Sequence, residues 1–162
     1  MEKVTYPIRA VNGDEYLVQI ESFNTSMLPD HLKETLGSIK ISDISLNRVS
    51  GYNPTNPSVL FDISNFIAGF LNDNPATILY FYCDDIHDVD RRDKSITPQK
   101  YRSQLFSRMF DHYTKSHNVD NLINTPLEIK AAKDVYIHFI SKREHLAYVD
   151  AIKDVILGYA DK

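Results

Sequence analysis

Ile78-Leu79-Tyr80-Phe81-Tyr82-Cys83 is apolar or aromatic at both alternating positions and breaks off abruptly into Asp84-Asp85. A strand that is apolar on both parities is buried on both faces, which places this run centrally in a sheet. A polar stretch, His87-Asp88-Val89-Asp90-Arg91-Arg92-Asp93-Lys94, then leads to Thr97-Pro98. Threonine at a cap with proline in the first turn starts a helix, and this one carries Arg102, Leu105, Phe106, Met109, Phe110 and Tyr113.

Toward the N-terminus, Val4, Tyr6 and Ile8 alternate, Asn12-Gly13 follows, and Tyr16, Val18 and Ile20 alternate again, which is a hairpin signature. The expected register opposes Ile8 to Val18 and Tyr6 to Ile20, so that the apolar sets share one face. At most a short helix fits between Pro29 and Leu36. A third strand runs from Ser38 to about Val49, where Ile39 and Ile41 sit on one parity and Ile44 and Leu46 on the other. A bulge or bend near Asp43 would repair that switch. Ser50 to Pro57 is a loop, with Asn56 or Ser58 as helix cap, and Val59, Leu60, Ile63, Phe66, Ile67, Phe70 and Leu71 then form one helical stripe. Phe61 falls outside it, as a margin contact or an exposed aromatic.

Beyond the second helix, Ser116 to Thr125 is polar and turn-like, and Leu127–Ala131 and Val135–Ile140 pair as strands around Lys133-Asp134. A C-terminal helix begins near Glu144, with Tyr148, Val149, Ile152, Val155, Ile156 and Tyr159 forming one stripe along it. The order β-β-β-α-β-α-β-β-α predicts a single α+β domain over residues 1–162, with helices packed on a largely antiparallel sheet.

A chain of 162 residues is long enough to bury a substantial core without staples. Its net charge of -4 argues against general binding to nucleic acid or anionic membranes, both of which need a positive footprint. The one cysteine, Cys83, excludes an internal disulfide. No apolar run approaches the roughly 18 residues that span a bilayer. With no charged-then-apolar leader after Met1, the expected location is cytoplasmic.

On a helical wheel Arg102 falls in the middle of the half shared by Tyr101, Leu105, Phe106, Met109, Phe110 and Tyr113. A guanidinium keeps its charge, so burying it against a core demands an acidic partner, carbonyls or a ligand. Asp84 and Asp85, at the tip of the preceding strand, are the natural partners. The cluster Asp84, Asp85 and Arg102 is then either a structural ion pair or, with Arg91 or Arg92 and the helix N-terminus, an anion site. An apolar strand ending Cys83-Asp84, then Arg102-x-x-Leu105-Phe106-x-x-x-Phe110, resembles a family of small Bacteroidetes proteins, a domain of unknown function. The resemblance runs from about Leu60 onward; here the insert before Arg102 is longer, and Met109 stands where tryptophan is usual. It implies an α+β fold and supplies no activity.

Other chemistries have weaker footing. Asp84, Asp85, Asp88, Asp90 and Asp93 lack the glycine and terminal glutamate of a calcium loop, and Arg91, Arg92 and Lys94 offset them. Glu128-x-Lys130 with Asp111 or Asp120 matches a metal-dependent nuclease set only if the carboxylates converge on one ion. Alternation on an edge strand explains Glu128 and Lys130 equally well. The six histidines are scattered without ligand spacing. No cofactor or metal is expected, and no serine elbow, phosphate loop or dinucleotide motif is present. The expected function is a protein-interaction module of accessory, antitoxin-like or immunity-like type, its mild acidity suited to a basic partner, with Phe61 and Tyr52 as candidate exposed aromatics. The alternative is a metal- or phosphate-dependent enzyme or ligand binder, nuclease-like for example, acting at Asp84, Asp85 and Arg102.

Overall fold

Six strands form one mixed sheet in the computed structural model, which describes residues 3–51, 57–83 and 94–160. In chain order the elements are β1 (Val4–Arg9), β2 (Glu15–Ser22), α1 (Asp30–Leu36), β3 (Lys40–Ser50), α2 (Pro57–Asp73), β4 (Thr77–Tyr82), α3 (Pro98–Ser116), β5 (Leu122–Ile129), β6 (Val135–Lys142) and α4 (Leu146–Ala160). The sheet order is β1-β2-β3-β4-β6-β5, with β3 and β4 parallel and the other neighbours antiparallel. The α+β class and the strand and helix order are therefore as the sequence implies, with the short α1 added between β2 and β3.

The β1–β2 hairpin closes two residues away from the expected register. Val4 opposes Ile20, Tyr6 opposes Val18 and Ile8 opposes Tyr16. Turn chemistry decides this: Gly13 N–H donates to the Ala10 carbonyl (3.0 Å), Ala10 N–H donates to that of Asp14 (2.8 Å), and Gly13 sits at φ +92. A type I turn followed by a left-handed residue gives a three-residue loop over positions 11–13, and glycine adopts that last conformation without steric cost. The facing of the apolar sets survives, because a slip of two preserves parity.

β4 is central and buried along most of its length. Its two parities serve two cores. Leu79, Phe81 and Cys83 join Ile20, Ile44, Ile67, Phe106 and Phe110 under α2 and α3. Ile78 joins Ile41, Ile137, Phe139, Leu32, Val149 and Ile152 under α1 and α4 on the opposite face. This accounts for the parity switch in β3: Ile41 feeds one core and Ile44 the other, so no bulge is needed at Asp43. The irregularity falls instead where Glu15 pairs with Ser50 and Tyr16 with Arg48, leaving Val49 as the extra residue.

β5 begins at Leu122, earlier than the polar reading of residues 116–125 implied. It is an edge strand, and its outward positions need no apolar residue. At the other end of β5's partner, a turn of 3-10 helix over Arg143–His145 precedes α4. Thr97 caps α3 by accepting from Lys100 N–H (3.3 Å), with Pro98 in the first turn. Of the two caps expected for α2, Ser58 lies inside the helix, which begins at Pro57, and Asn56, like Tyr52, lies outside the described residues.

Each outer strand carries a proline, Pro7 in β1 and Pro126 in β5. The Ala10-to-Asp14 bond makes Ala10 an inward-bonding position, and period two then turns the backbone of Pro7 outward. Arg143 N–H donates to the Asn121 carbonyl (3.1 Å), and the same alternation turns Pro126 outward. Both prolines thus cost no ladder bond and remove a donor from a free edge. Replacing both (Pro7→Thr with Pro126→Thr) is expected to change unfolding free energy by no more than about 1 kcal/mol. It should also raise the rate of aggregation measured by light scattering, by restoring complete edges.

Candidate functional site

Arg102 sits in the second turn of α3, half-buried, at the helical angle between Met109 and Tyr113 of the inner face. That face carries Gln99, Ser103, Phe106, Met109, Phe110 and Tyr113, so it is turned away from Tyr101 and Leu105 toward a polar stripe. Asp84 and Asp85, its expected partners, lie outside the described residues, as do Asp88, Asp90, Arg91, Arg92 and Asp93. Cys83, immediately before them, is buried, with its N–H donating to the Tyr136 carbonyl (3.0 Å). Phe81 and Phe106 stack at 4.3 Å, and Phe106 meets Phe110 at 5.0 Å. The motif positions Cys83, Phe106 and Phe110 therefore belong to one core.

The polar stripe is what inspection of the sequence missed. Gln99, Ser103 and Ser107 recur every fourth residue, which stacks them along one side of the helix. Gln99 Nε2 donates to the Asp134 carbonyl (3.1 Å). Ser103 Oγ lies 2.8 Å from His138 Nε2, His138 Nδ1 lies 2.9 Å from Asn124 Oδ1, and Asn124 Nδ2 donates to Ser107 Oγ (3.3 Å). An amide oxygen only accepts, so Nδ1 of His138 bears the proton and Nε2 accepts from the Ser103 hydroxyl. Burial pushes the imidazole down to about 4, which keeps it neutral at ordinary pH.

Serine, histidine and asparagine in this connectivity match the order of nucleophile, base and orienting group. The surroundings argue for a different role. His138 is fully buried, with the rings of Phe106 and Phe81 at 5.0 and 6.2 Å. Ser103 lies inside a helix, where its own N–H is engaged four residues back and offers nothing to an oxyanion. Two open clefts, about 500 Å³ between β1 and α2 and about 460 Å³ between α1 and α4, are lined by other residues. The seam fastens α3 to β5 and β6 with each of these polar atoms paired, as a buried network must be.

The acidic and lysine set of a nuclease is not assembled. Lys130 Nζ binds Glu128 (2.6 Å) and Asp134 (3.4 Å), and Tyr136 donates to Glu128 (3.0 Å). The Lys130 hydrogen bond, and after it that of Tyr136, holds the Glu128 carboxyl below its usual range. Asp111 pairs with Lys115 (3.0 Å) along the outside of α3. Among the described residues, no three His, Cys, Asp or Glu side chains form a metal-ligating group. Phe61 is a margin contact: 41% exposed, yet within 5.8 Å of the Tyr113 ring and 5.1 Å of that of His117.

A broader feature lies on the face that α1 and α4 cover only in part. Strand pairing sets Thr5, Pro7 and Arg9 of β1 beside Gln19, Leu17 and Glu15 of β2, and these beside Ser45 and Asn47 of β3. None of these residues belongs to either core, and Thr5, Pro7, Arg9 and Asn47 are exposed. Next to them Glu21 opposes Asp43, which opposes Tyr80, and Tyr82 on the same parity is 44% exposed. Burial, and after it the charge of Glu21, raises the Asp43 carboxyl above its usual range. The Tyr80 phenol is pushed up to about 12 by burial first and then by Asp43.

The chain matches no protein-family model, none of the curated proteins and no solved structure.

A neutral His138 makes a definite prediction about pH. The folded state refuses a proton that the unfolded chain accepts below about 6.5, so stability is complete above that pH and falls as pH drops toward 4. At pH 4.5 this one group should cost about 2 to 3 kcal/mol relative to pH 7. Urea unfolding at the two pH values should show that much less pH dependence in His138→Gln than in the parent. An unchanged difference would mean that the imidazole is charged in the fold.

Proposed function

We propose that this chain is a protein-interaction module, working in the cytoplasm, which docks its partner on the part of the sheet face formed by β1, β2 and the end of β3. The observation that carries the reading is that Thr5, Pro7, Leu17, Gln19, Ser45 and Asn47 form a continuous, pleated surface outside both cores. A sheet normally covers an apolar face or solvates a polar one, and Leu17 and Tyr82 among polar neighbours give the mixed character of a binding surface. The outward prolines Pro7 and Pro126 disfavour recruitment by strand addition at either edge. That leaves the face as the route. The sealed seam of Ser103, His138 and Asn124 supports an interaction role over acyl-transfer chemistry.

The resemblance to the Bacteroidetes family is part of the same proposal. Its motif positions Cys83, Phe106 and Phe110 pack together in one core, which fits a pattern that preserves a scaffold rather than a reaction.

Affinity purification with the parent chain as bait, repeated with Leu17→Arg and Asn47→Arg, tests the reading. Both side chains leave the core untouched, so unfolding midpoints should stay close to the parent while partner recovery falls by about tenfold or more. Full recovery with both variants would refute the docking face. Conversely, a melting-temperature rise with nucleotides or divalent ions, abolished by Arg102→Ala, would favour a ligand site at Asp84, Asp85 and Arg102.

A further inference from the structure

The uncovered sheet face is not electrically neutral. Strand parity places Arg9, Glu15, Glu21 and Asp43 on it, and Arg9 is already spent on Glu15, Nη2 to Oε1 at 2.9 Å. Glu21 and Asp43 remain, directly opposite each other across β2 and β3. Among the described residues, neither receives a hydrogen bond or an ion pair, and Asp43 is half-buried. Like charges facing across a strand pair are unfavourable, and half-burial makes them more so. Beside them stand Tyr80, half-buried, and the exposed ring of Tyr82.

We infer that the partner docked on this face is a basic protein segment, which sets a lysine or arginine between Glu21 and Asp43 and lays its stem against Tyr82. The inference rests on the docking face proposed above. Its ground is charge complementarity: two carboxylates that repel in the free protein both gain from one shared cation, and a guanidinium fork is shaped to bridge them. An aromatic face a strand away adds attraction for the same cation. A second copy of this chain is the wrong occupant, because placing this face on itself would bring four carboxylates together.

The direct test uses an acetylated pentapeptide alternating arginine and leucine, with the same peptide carrying glutamate for arginine as control. Titrated into the ¹⁵N-labelled chain, the arginine peptide should move amide resonances on β2, β3 and β4 around Glu21, Asp43 and Tyr82. Its binding should weaken with added salt and fall by about tenfold in the double variant Glu21→Gln, Asp43→Asn, the loss of roughly one charge-assisted contact. Shifts centred elsewhere, or equal affinity in the double variant, would overturn the inference. The free double variant should also melt higher, by roughly 2 to 4 °C, because it relieves the repulsion. A lower melting point would show that the acids serve the fold and would overturn it equally. If the peptide fails while Leu17→Arg still releases the captured partner, the docking face stands without a basic partner. If Leu17→Arg also leaves capture intact, both readings fall.

Discussion

Double-sided burial of β4 is the constraint on which the molecule is built. Ile78, Leu79 and Phe81 leave no polar parity to face water, so the sheet around them must carry packed material on both sides. The chain meets this with helices of unequal length. On one side α2 and α3, of 17 and 19 residues, reach across the sheet to β1. On the other, α4 lies over β5 and β6, and α1 has seven residues, only about 10 Å of helix. Six strands at about 4.8 Å spacing are wider than that pair covers. The bare corner over β1, β2 and the end of β3 is a geometric consequence of a short α1, and it is where the interaction reading has its surface.

Most of the scaffold was legible because its signals are local. The twofold apolar parity of residues 78–83, the Thr97-Pro98 start and the stripe from Val59 to Leu71 each identify an element within one window of sequence. The hairpin register was not legible at that level. Asn12-Gly13 marks a turn, but only the conformation of Gly13 decides whether the loop closes on Ala10 and Asp14 or one pair further along. The parity change between Ile41 and Ile44 carries no such information locally, because a strand feeding opposite cores at its two ends looks in sequence like one with a bulge.

The site was harder for a related reason. Arg102 draws attention as a charge on an apolar wheel, whereas Ser103, one residue on, is unremarkable in sequence and meets its buried partner His138 35 positions away. The pairing depends on the β4–β6 register that sets His138 against Phe81, and no short-range pattern encodes a register between strands so far apart. Gln99, Ser103 and Ser107 at four-residue spacing are the one trace available beforehand. A polar stripe on the inner side of a helix is a request for partners on whatever lies beneath it.

The same logic separates the seam from the acid pair. In the seam the Ser103 hydroxyl, both His138 ring nitrogens and the Asn124 amide each have a mate, and such a network needs nothing from outside to be stable. At Glu21 and Asp43 the opposite holds: two groups of like sign meet across a strand pair, one exposed and one half-buried, outside both cores. A lysine in place of either would turn repulsion into attraction worth roughly 0.2 to 1 kcal/mol at no cost to the backbone. A scaffold shaped by folding alone has no use for such a conflict. A surface waiting for a positive partner does, since the repulsion disappears only when the cation arrives, and that difference adds directly to the affinity.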